Sequence, residues 1–413
     1  KSENYRNFLS ILTGQVQIAI GTRSAIFAPV RDFKTIIIYN EGSEHFYERR
    51  SPGWNVRDIA LLRSRIENVN LIFAGYSPSA ETARLIDEGW IDYKRSRGKV
   101  TVSTFSQSHG ELLPSRAIAP IKKALNEGPV LFLVPLKGYA QAIRCSHCKT
   151  ISRCECGGAH EQKGANSGIT CNHCAKRVES WKCAWCHQVR PALVSRGIER
   201  HLHEIGLLFP GVPALFSSAD HAIDFAPEKG IVLATPHMAP KTYSGYSAVV
   251  ILEGNRFLSQ PDLRANERSR EMYFAHAALV KSNGNVILIQ DEGDSISTAL
   301  ATWNPSPSVH RDLSERKELH LPPYVRAIKL IMSESEVTRL KKALEAAKAE
   351  GRLPVSSRIL GPIPEGDKAS LILTADVEDG EELILTIHEF MRRRSMAKKP
   401  LPSLRIDPYS LSR

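Results

Sequence analysis

Two hydrophobic rhythms alternate along the chain. Short β-branched runs at Val16–Ile20, Thr35–Tyr39 and Leu71–Ala74 read as strands of the kind buried in parallel sheets. Between them, Val56–Ile66 places apolar residues at 56, 59, 60 and 62, the spacing of a helix with one buried face. Strands alternating with helices imply βαβ units, so residues 1–95 read as half of an α/β domain. The pattern resumes after residue 96. Val130–Val134, Ile231–Ala234, Ala248–Leu252 and Val286–Gln290 predict strands, with helices over Gly197–Leu208 and Leu263–Val280. A third unit runs from about 301, set off by the turn Leu321-Pro322-Pro323-Tyr324. It predicts a strand (Arg326–Ile331), a helix (Glu336–Glu350), strands near Ile359 and at Leu371–Thr374, a helix (Glu381–Arg394) and a strand near Leu404–Ile406. Two βαβ-like halves of this size resemble a split, ferredoxin-like layout.

The second unit, residues 96–144 and 188–300, is interrupted just after a strand by a cysteine-rich insertion, residues 145–187. All eight cysteines of the chain lie in it, as the pairs Cys145/Cys148, Cys154/Cys156, Cys171/Cys174 and Cys183/Cys186. Two residues between paired cysteines lets both sulfurs reach one tetrahedral ion, so eight thiols predict two closed four-sulfur zinc sites. Four disulfides of a secreted module and an iron–sulfur cluster are the alternatives. Large α/β flanks without a secretion signal, and basic spacers such as Arg144-Cys145-Ser146-His147-Cys148, favour zinc. Five residues separate Cys148 from Cys154, and fourteen separate Cys156 from Cys171. A nested arrangement follows: Cys154, Cys156, Cys171 and Cys174 inside, with Cys145, Cys148, Cys183 and Cys186 outside. A crossed arrangement is the alternative. The single residue inside Cys154-Glu155-Cys156 strains the inner site. His147, His160, His173 and His187 read as surface residues, because eight thiols already fill two sites.

A length of 413 residues suits two to four domains, and the longest apolar runs are far too short to span a bilayer. The opening Lys-Ser-Glu-Asn is neither a signal peptide nor an initiator methionine, so the chain reads as a processed product or a fragment of a cytoplasmic protein. A formal charge of +11 predicts a polyanion partner, most often nucleic acid. Candidate phosphate contacts are Arg23 in the loop Gly21–Ala25, Lys137 before the cysteines, and Arg392, Arg393 and Arg394 beside Lys398 and Lys399. The acidic loop Asn40–His45 reads as a metal site or as a solvated turn. No GxxxxGK[ST] phosphate loop, GxGxxG, HExxH or nucleophile elbow is present.

Several stretches together resemble the primosomal replication-restart family of PriA proteins, members of the helicase superfamily. They are Gly21–Pro29, Tyr47 with Val56-Arg57-Asp58, Gly138-Tyr139, the four cysteine pairs, and Asp262-Leu263-Arg264-Ala265 with Glu267-Arg268. Pro322-Pro323, Leu360-Gly361-Pro362 and Arg405-Ile406-Asp407-Pro408 also fit. The resemblance implies two helicase-like (RecA-like) lobes, a two-zinc insertion in the second lobe with the nested pairing, and a C-terminal α+β domain. Residues 1–95 would be a remnant of the first lobe and 301–413 the C-terminal domain. It also implies binding of forked, branched or single-stranded DNA and recruitment of primosome and helicase-loading partners. The departures bear on activity. Where active members carry an Asp-Glu-Glu-His box, this chain has Asn40-Glu41-Gly42-Ser43, and Gly75-Tyr76-Ser77 replaces a Ser-Ala-Thr coupling motif. Where the family's arginines stand, the segment reads His276–Asn283. This resembles the actinobacterial members with decayed helicase motifs, and implies a protein without ATP turnover. The alternatives are an ATP-dependent 3′-to-5′ helicase and a zinc-ribbon protein of transcription or RNA processing.

Overall fold

The computed structural model of the chain describes residues 2–96, 98–106, 111–134, 142–148, 150, 152–162, 168–171, 174–194, 198–254, 257, 262–290 and 295–411. They form two compact units: Lys1–Asp92 with Arg311–Leu411, and Tyr93–His310.

The first unit opens with helix α1 (Ser2–Leu12). The strand expected at Val16–Ile20 does not form. Ile18 is 74% and Ile20 94% exposed, so this β-branched run meets no sheet to bury it. Strands β1 (Thr35–Tyr39) and β4 (Asn70–Ala74) pair in parallel, with the hairpin β2 (Tyr47–Glu48) and β3 (Trp54–Asn55) between them. Helix α2 (Val56–Glu67) starts where the Asn55 side chain accepts the Arg57 amide, and stops at Asn68 in the left-handed region. Its Val56 and Ala60 cover one face of the strand pair, against Ile36, Ile38, Leu71 and Phe73. Helix α3 (Ala80–Asp87) is capped by Ser79.

In the second unit, β5 (Thr101–Phe105), α4 (Ser115–Glu127) and β6 (Pro129–Leu133) lead into a small sheet of β7 (Ala142–Cys145), β8 (His160–Glu161), β9 (Ile169–Cys171), β10 (Arg177–Val178) and β11 (Pro191–Val194). The chain then returns through α5 (Ile198–Leu208), β12 (Ala214–Ser217), β13 (Gly230–Ala234), β14 (Tyr246–Ile251), α6 (Ala265–Ala277), β15 (Val280–Ile289), α7 (Ser295–Ala301) and α8 (Ser306–Glu318), the last of which crosses into the first unit. The large sheet has the order β12-β13-β6-β14-β15-β5, every neighbouring pair parallel. One face carries Val130, Phe132, Leu233, Val250 and Ile287 against α4 and α5. The residues between them on the strands, such as Leu131, Val232, Val249 and Leu288, are just as fully buried. Both faces are covered, which is the setting parallel sheets need.

The C-terminal part runs β16 (Val325–Met332), α9 (Glu334–Ala349), β17 (Arg358–Glu365), β18 (Lys368–Asp376), α10 (Gly380–Met396) and β19 (Ser403–Ile406). Its sheet order, β17-β18-β16-β19, is antiparallel throughout, the split βαβ arrangement expected from the sequence. Apolar residues of α9 and α10, including Val337, Leu344, Leu383 and Ile387, close one face of it. It meets residues 1–92 of its own unit through the Tyr409 hydroxyl on the Gly42 carbonyl, the Ile406 amide on the Pro52 carbonyl, and Arg84 on the Pro323 carbonyl. Among the described residues, no helix is long and apolar enough to cross a membrane.

Candidate metal centres

In the large sheet β6 and β14 are neighbours whose chains leave in opposite directions. From β6 the chain passes through the cysteine module to β12 at one edge; from β14 it passes through α6 to β15 on the other side. Crevices at such switch points, outside the carboxyl ends of the strands, are where ligands bind in α/β sheets. The module is thus inserted in the chain after the carboxyl end of β6. At the end of β14, His201 of α5 is buried and Glu253 half-buried, with Nε2 3.5 Å from Oε2. A side chain on Gly254 would collide with the Tyr273 hydroxyl and Gln290, so the backbone runs tight against them.

Within the module the strand order is β10-β9-β8-β7-β11, and the entering strand β7 pairs with the leaving strand β11 from Ala142↔Val194 to Cys145↔Pro191. The cysteine pairs form tight turns. The Cys183 sulfur accepts the amides of Trp185 and Cys186, and the Cys171 sulfur that of Cys174. The residue after each of three pairs, Gly157, Ala175 and His187, lies in the left-handed region and turns the chain back.

These turns bring the sulfurs together in two groups, Cys145, Cys148, Cys183 and Cys186 in one, Cys154, Cys156, Cys171 and Cys174 in the other. Within each group the ligand atoms all lie within 4.8 Å of one another. The closest approaches are 3.4 Å (Cys145–Cys186), 3.5 Å (Cys148–Cys183), 3.7 Å (Cys154–Cys174) and 3.4 Å (Cys156–Cys171). A tetrahedral ion with metal–sulfur bonds of about 2.3 Å needs sulfurs about 3.8 Å apart. Both groups are therefore shaped to hold a metal ion, and their all-sulfur donor sets suit zinc. This grouping is the nested one. The Thr150 hydroxyl and amide beside Cys148 pull its thiol down to about 6, toward the thiolate form that binds metal. His147 and His187 are exposed as expected, whereas His160 is half-buried, its Nδ1 2.7 Å from the Ser152 hydroxyl, which also accepts Trp181 Nε1. His173 lies outside the described residues.

The candidate phosphate contacts are scattered. Arg23 donates to the Tyr47 carbonyl (2.7 Å) and lies 3.6 Å from Glu48, in a 3₁₀ turn rather than an open loop. Arg392 and Arg393, exposed on the last turns of α10, share the Glu389 carboxylate, and hold it down at about 2. Arg394 pairs with Glu336 and the Pro400 carbonyl. Lys137 lies outside the described residues.

The two stretches singled out for catalysis are used structurally. Glu41 is buried, and its carboxylate accepts both the amide and the hydroxyl of Ser79 at 2.8 Å. Arg57, itself buried, lies 3.8 Å from Glu41 and 3.1 Å from Glu81. In the other stretch, His276 is buried. Its Nε2 accepts the His237 amide, so its Nδ1–H donates to the Met272 carbonyl, and burial holds its pKa down at about 4. Lys281 is engaged by Glu127. The sequence reading missed the Glu41–Ser79–Arg57 cluster; the polar residues following β4 were its only signal.

The family described as "Primosomal protein N C-terminal domain" matches residues 317–409. The probable replication restart protein PriA of Mycobacterium leprae is 31% identical over 391 residues, covering 88% of this chain and 58% of that protein. The protein of the same name from Mycobacterium tuberculosis H37Rv is 28% identical over 449 residues, covering 98% of this chain and 68% of that protein. Replication restart protein PriA of Thermotoga maritima is 24% identical over 392 residues, covering 85% and 50%. The chain thus spans between half and about two thirds of the length of these relatives.

Proposed function

Because the chain is a homologue of the replication restart proteins PriA over most of its length, we propose that it is a replication-restart protein that binds forked DNA and recruits replication partners without itself unwinding DNA. The cysteine clusters each hold a structural zinc ion in this reading, and the module they brace is a docking platform at the carboxyl end of the large sheet. The parallel sheet of residues 96–300 is read as the second helicase-like lobe, residues 1–95 as the remnant of the first, and 301–413 as the C-terminal domain.

One observation carries the non-catalytic part. Phosphoryl transfer needs a metal held by carboxylates and cations over the phosphate, and an arginine alone contributes roughly 10³–10⁵ in rate. Here the Glu41 carboxylate is buried and consumed by Ser79 and Arg57, with Asn40 and Gly42 on either side. His276, in the other decayed segment, is a buried neutral imidazole. Net positive charge supports DNA as the partner, and contacts to phosphates release counterions, so binding falls steeply with salt.

The test measures binding of labelled fork and duplex DNA across a salt series, together with ATP hydrolysis on the same substrates. Tighter binding to forks, a steep salt slope and no ATP turnover are expected. Charge reversal at Arg392 and Arg393 leaves Arg394 and its contact to Glu336 in place, and should flatten the slope. Turnover at helicase-like rates refutes the non-catalytic reading; equal binding to fork and duplex refutes the fork reading.

A further inference from the structure

The two four-sulfur groups share one donor set and differ in the exposure of one ligand, in strand support and in turn length. The outer group sits where the chain enters and leaves the module, clamped by the β7–β11 ladder. Cys145 and Cys183 are buried, 0% and 4% exposed, among Ile143 and Trp181, with Ile169 and Val178 packed against them. All four outer cysteines belong to this apolar cluster. Trp181 is tied in turn to Ser152 by its ring N–H, at 2.8 Å.

The inner group is placed differently. Cys171 is buried, but Cys156 is exposed to solvent. Its supporting strands are short, with two pairs joining β8 to β9 and two joining β9 to β10. The ion pair across it, Lys176 with Glu155 at 2.9 Å, has side chains 62% and 88% exposed, where pairing contributes little. The turn Cys154-Glu155-Cys156-Gly157 is one residue shorter than the other three. A zinc ion here is reached from solvent along the Cys156 side.

We propose that the two metal sites are inequivalent: the outer site is a permanent structural centre, and the inner site exchanges its zinc through Cys156. The inference rests on the reading that both groups hold zinc. The step is ligand substitution without redox change. A donor atom of an incoming chelator bonds to zinc, the bond from zinc to the Cys156 sulfur breaks, and the freed thiolate takes a proton from water. The three remaining thiolates then leave in turn. Loss of this ion opens the tip of the module while the β7–β11 ladder and the outer site persist. The module thus becomes a two-stage device whose tip follows available zinc.

The experiment uses the full chain, its zinc content first measured by native mass spectrometry. EDTA is added, and the species with two, one and no zinc are followed in time. N-ethylmaleimide pulses, mapped by peptide mass, report which cysteines become free. The expected result is a one-zinc intermediate, formed at least about tenfold faster than it decays, with label on Cys156 first and then on Cys154, Cys171 and Cys174. Cys156→Ser should speed loss of the first ion and leave the second unchanged. Two ions leaving in one phase, or first label on Cys145, Cys148, Cys183 or Cys186, overturns the inference while the zinc reading stands. Fewer than two ions bound even after incubation with excess zinc overturns both. The wild-type labelling order decides the matter even if the variant does not fold.

Discussion

Val130–Val134 and Thr35–Tyr39 are both apolar runs in parallel strands, yet they lie in opposite surroundings. Every residue of the first is fully buried, between neighbouring strands and under α4 and α5. In the second, Ile38 is buried against α2, but Ile37 and Tyr39 are 66% and 59% exposed, and Ile72 on the paired strand is 48% exposed. Among the described residues, β1 and β4 have only each other. Where an apolar run does pair as a strand, the number of its neighbours thus decides whether both faces are dry. The strand pair gains its order from other sources: the buried Arg57 between Glu41 and Glu81, and the contacts to residues 311–411 within its unit.

That contrast can be broken at several strengths. The largest effects come from the element each region relies on. Arg57→Leu removes the cation beside the buried Glu41 and half-buried Glu81 carboxylates, and should destabilise residues 1–92 by about 3–5 kcal/mol. Phe132→Ala should destabilise the large sheet by a similar amount, about 3–5 kcal/mol, through a core cavity. Hydrogen exchange should place the two losses in different units; loss of protection in both units from either variant would show that the regions are not separately supported.

A smaller effect concerns Glu271, on α6. Burial raises its pKa from 4.5 to about 7. In the unfolded chain this carboxyl ionises near 4.5, whereas in the folded sheet it keeps its proton until about 7. Its contribution to stability is therefore full below pH 4.5 and is lost as pH rises to 7. Glu271→Gln should match the parent near pH 4 and exceed it by about 1–3 kcal/mol at pH 8. Denaturant melts at the two pH values check this, and a pH-independent difference would count against a buried neutral carboxyl. The smallest effect is expected for Ile37→Ala, within about 0.5 kcal/mol, because that side chain faces solvent. A loss comparable to Phe132→Ala would mean that the exposed face of β1 is covered in solution.

The same contrast explains what the sequence could disclose. Strands β6, β13 and β14 were legible because apolar runs and dry surroundings coincide in them. Val16–Ile20 has the same composition and forms no strand, since pairing partners are a property of the fold and leave no mark on the run itself. Helix α1 went unread beside it. The eight cysteines were legible because their clustering is covalent information, independent of tertiary context. Their spacing left nested and crossed groupings open, and the β7–β11 ladder, invisible in the spacing, brings Cys145 beside Cys186. The use of Glu41 was hidden because its partners, Ser79 and Arg57, are distant in the chain.

That ladder also bears on the order in which the second unit forms. Bringing β6 and β12 into one sheet requires closing the long stretch between them, and closure entropy grows with the logarithm of the length closed, about 0.6 kcal/mol per doubling. The module shortens this stretch. With β7 and β11 zipped from Ala142↔Val194 to Cys145↔Pro191, residues 142–194 behave as a small knot whose two ends emerge side by side. The large sheet then has to close only the short segments on either side. A module that gathers its ions early would thus speed assembly of the sheet that carries it, and a chain starved of zinc would fold that sheet more slowly.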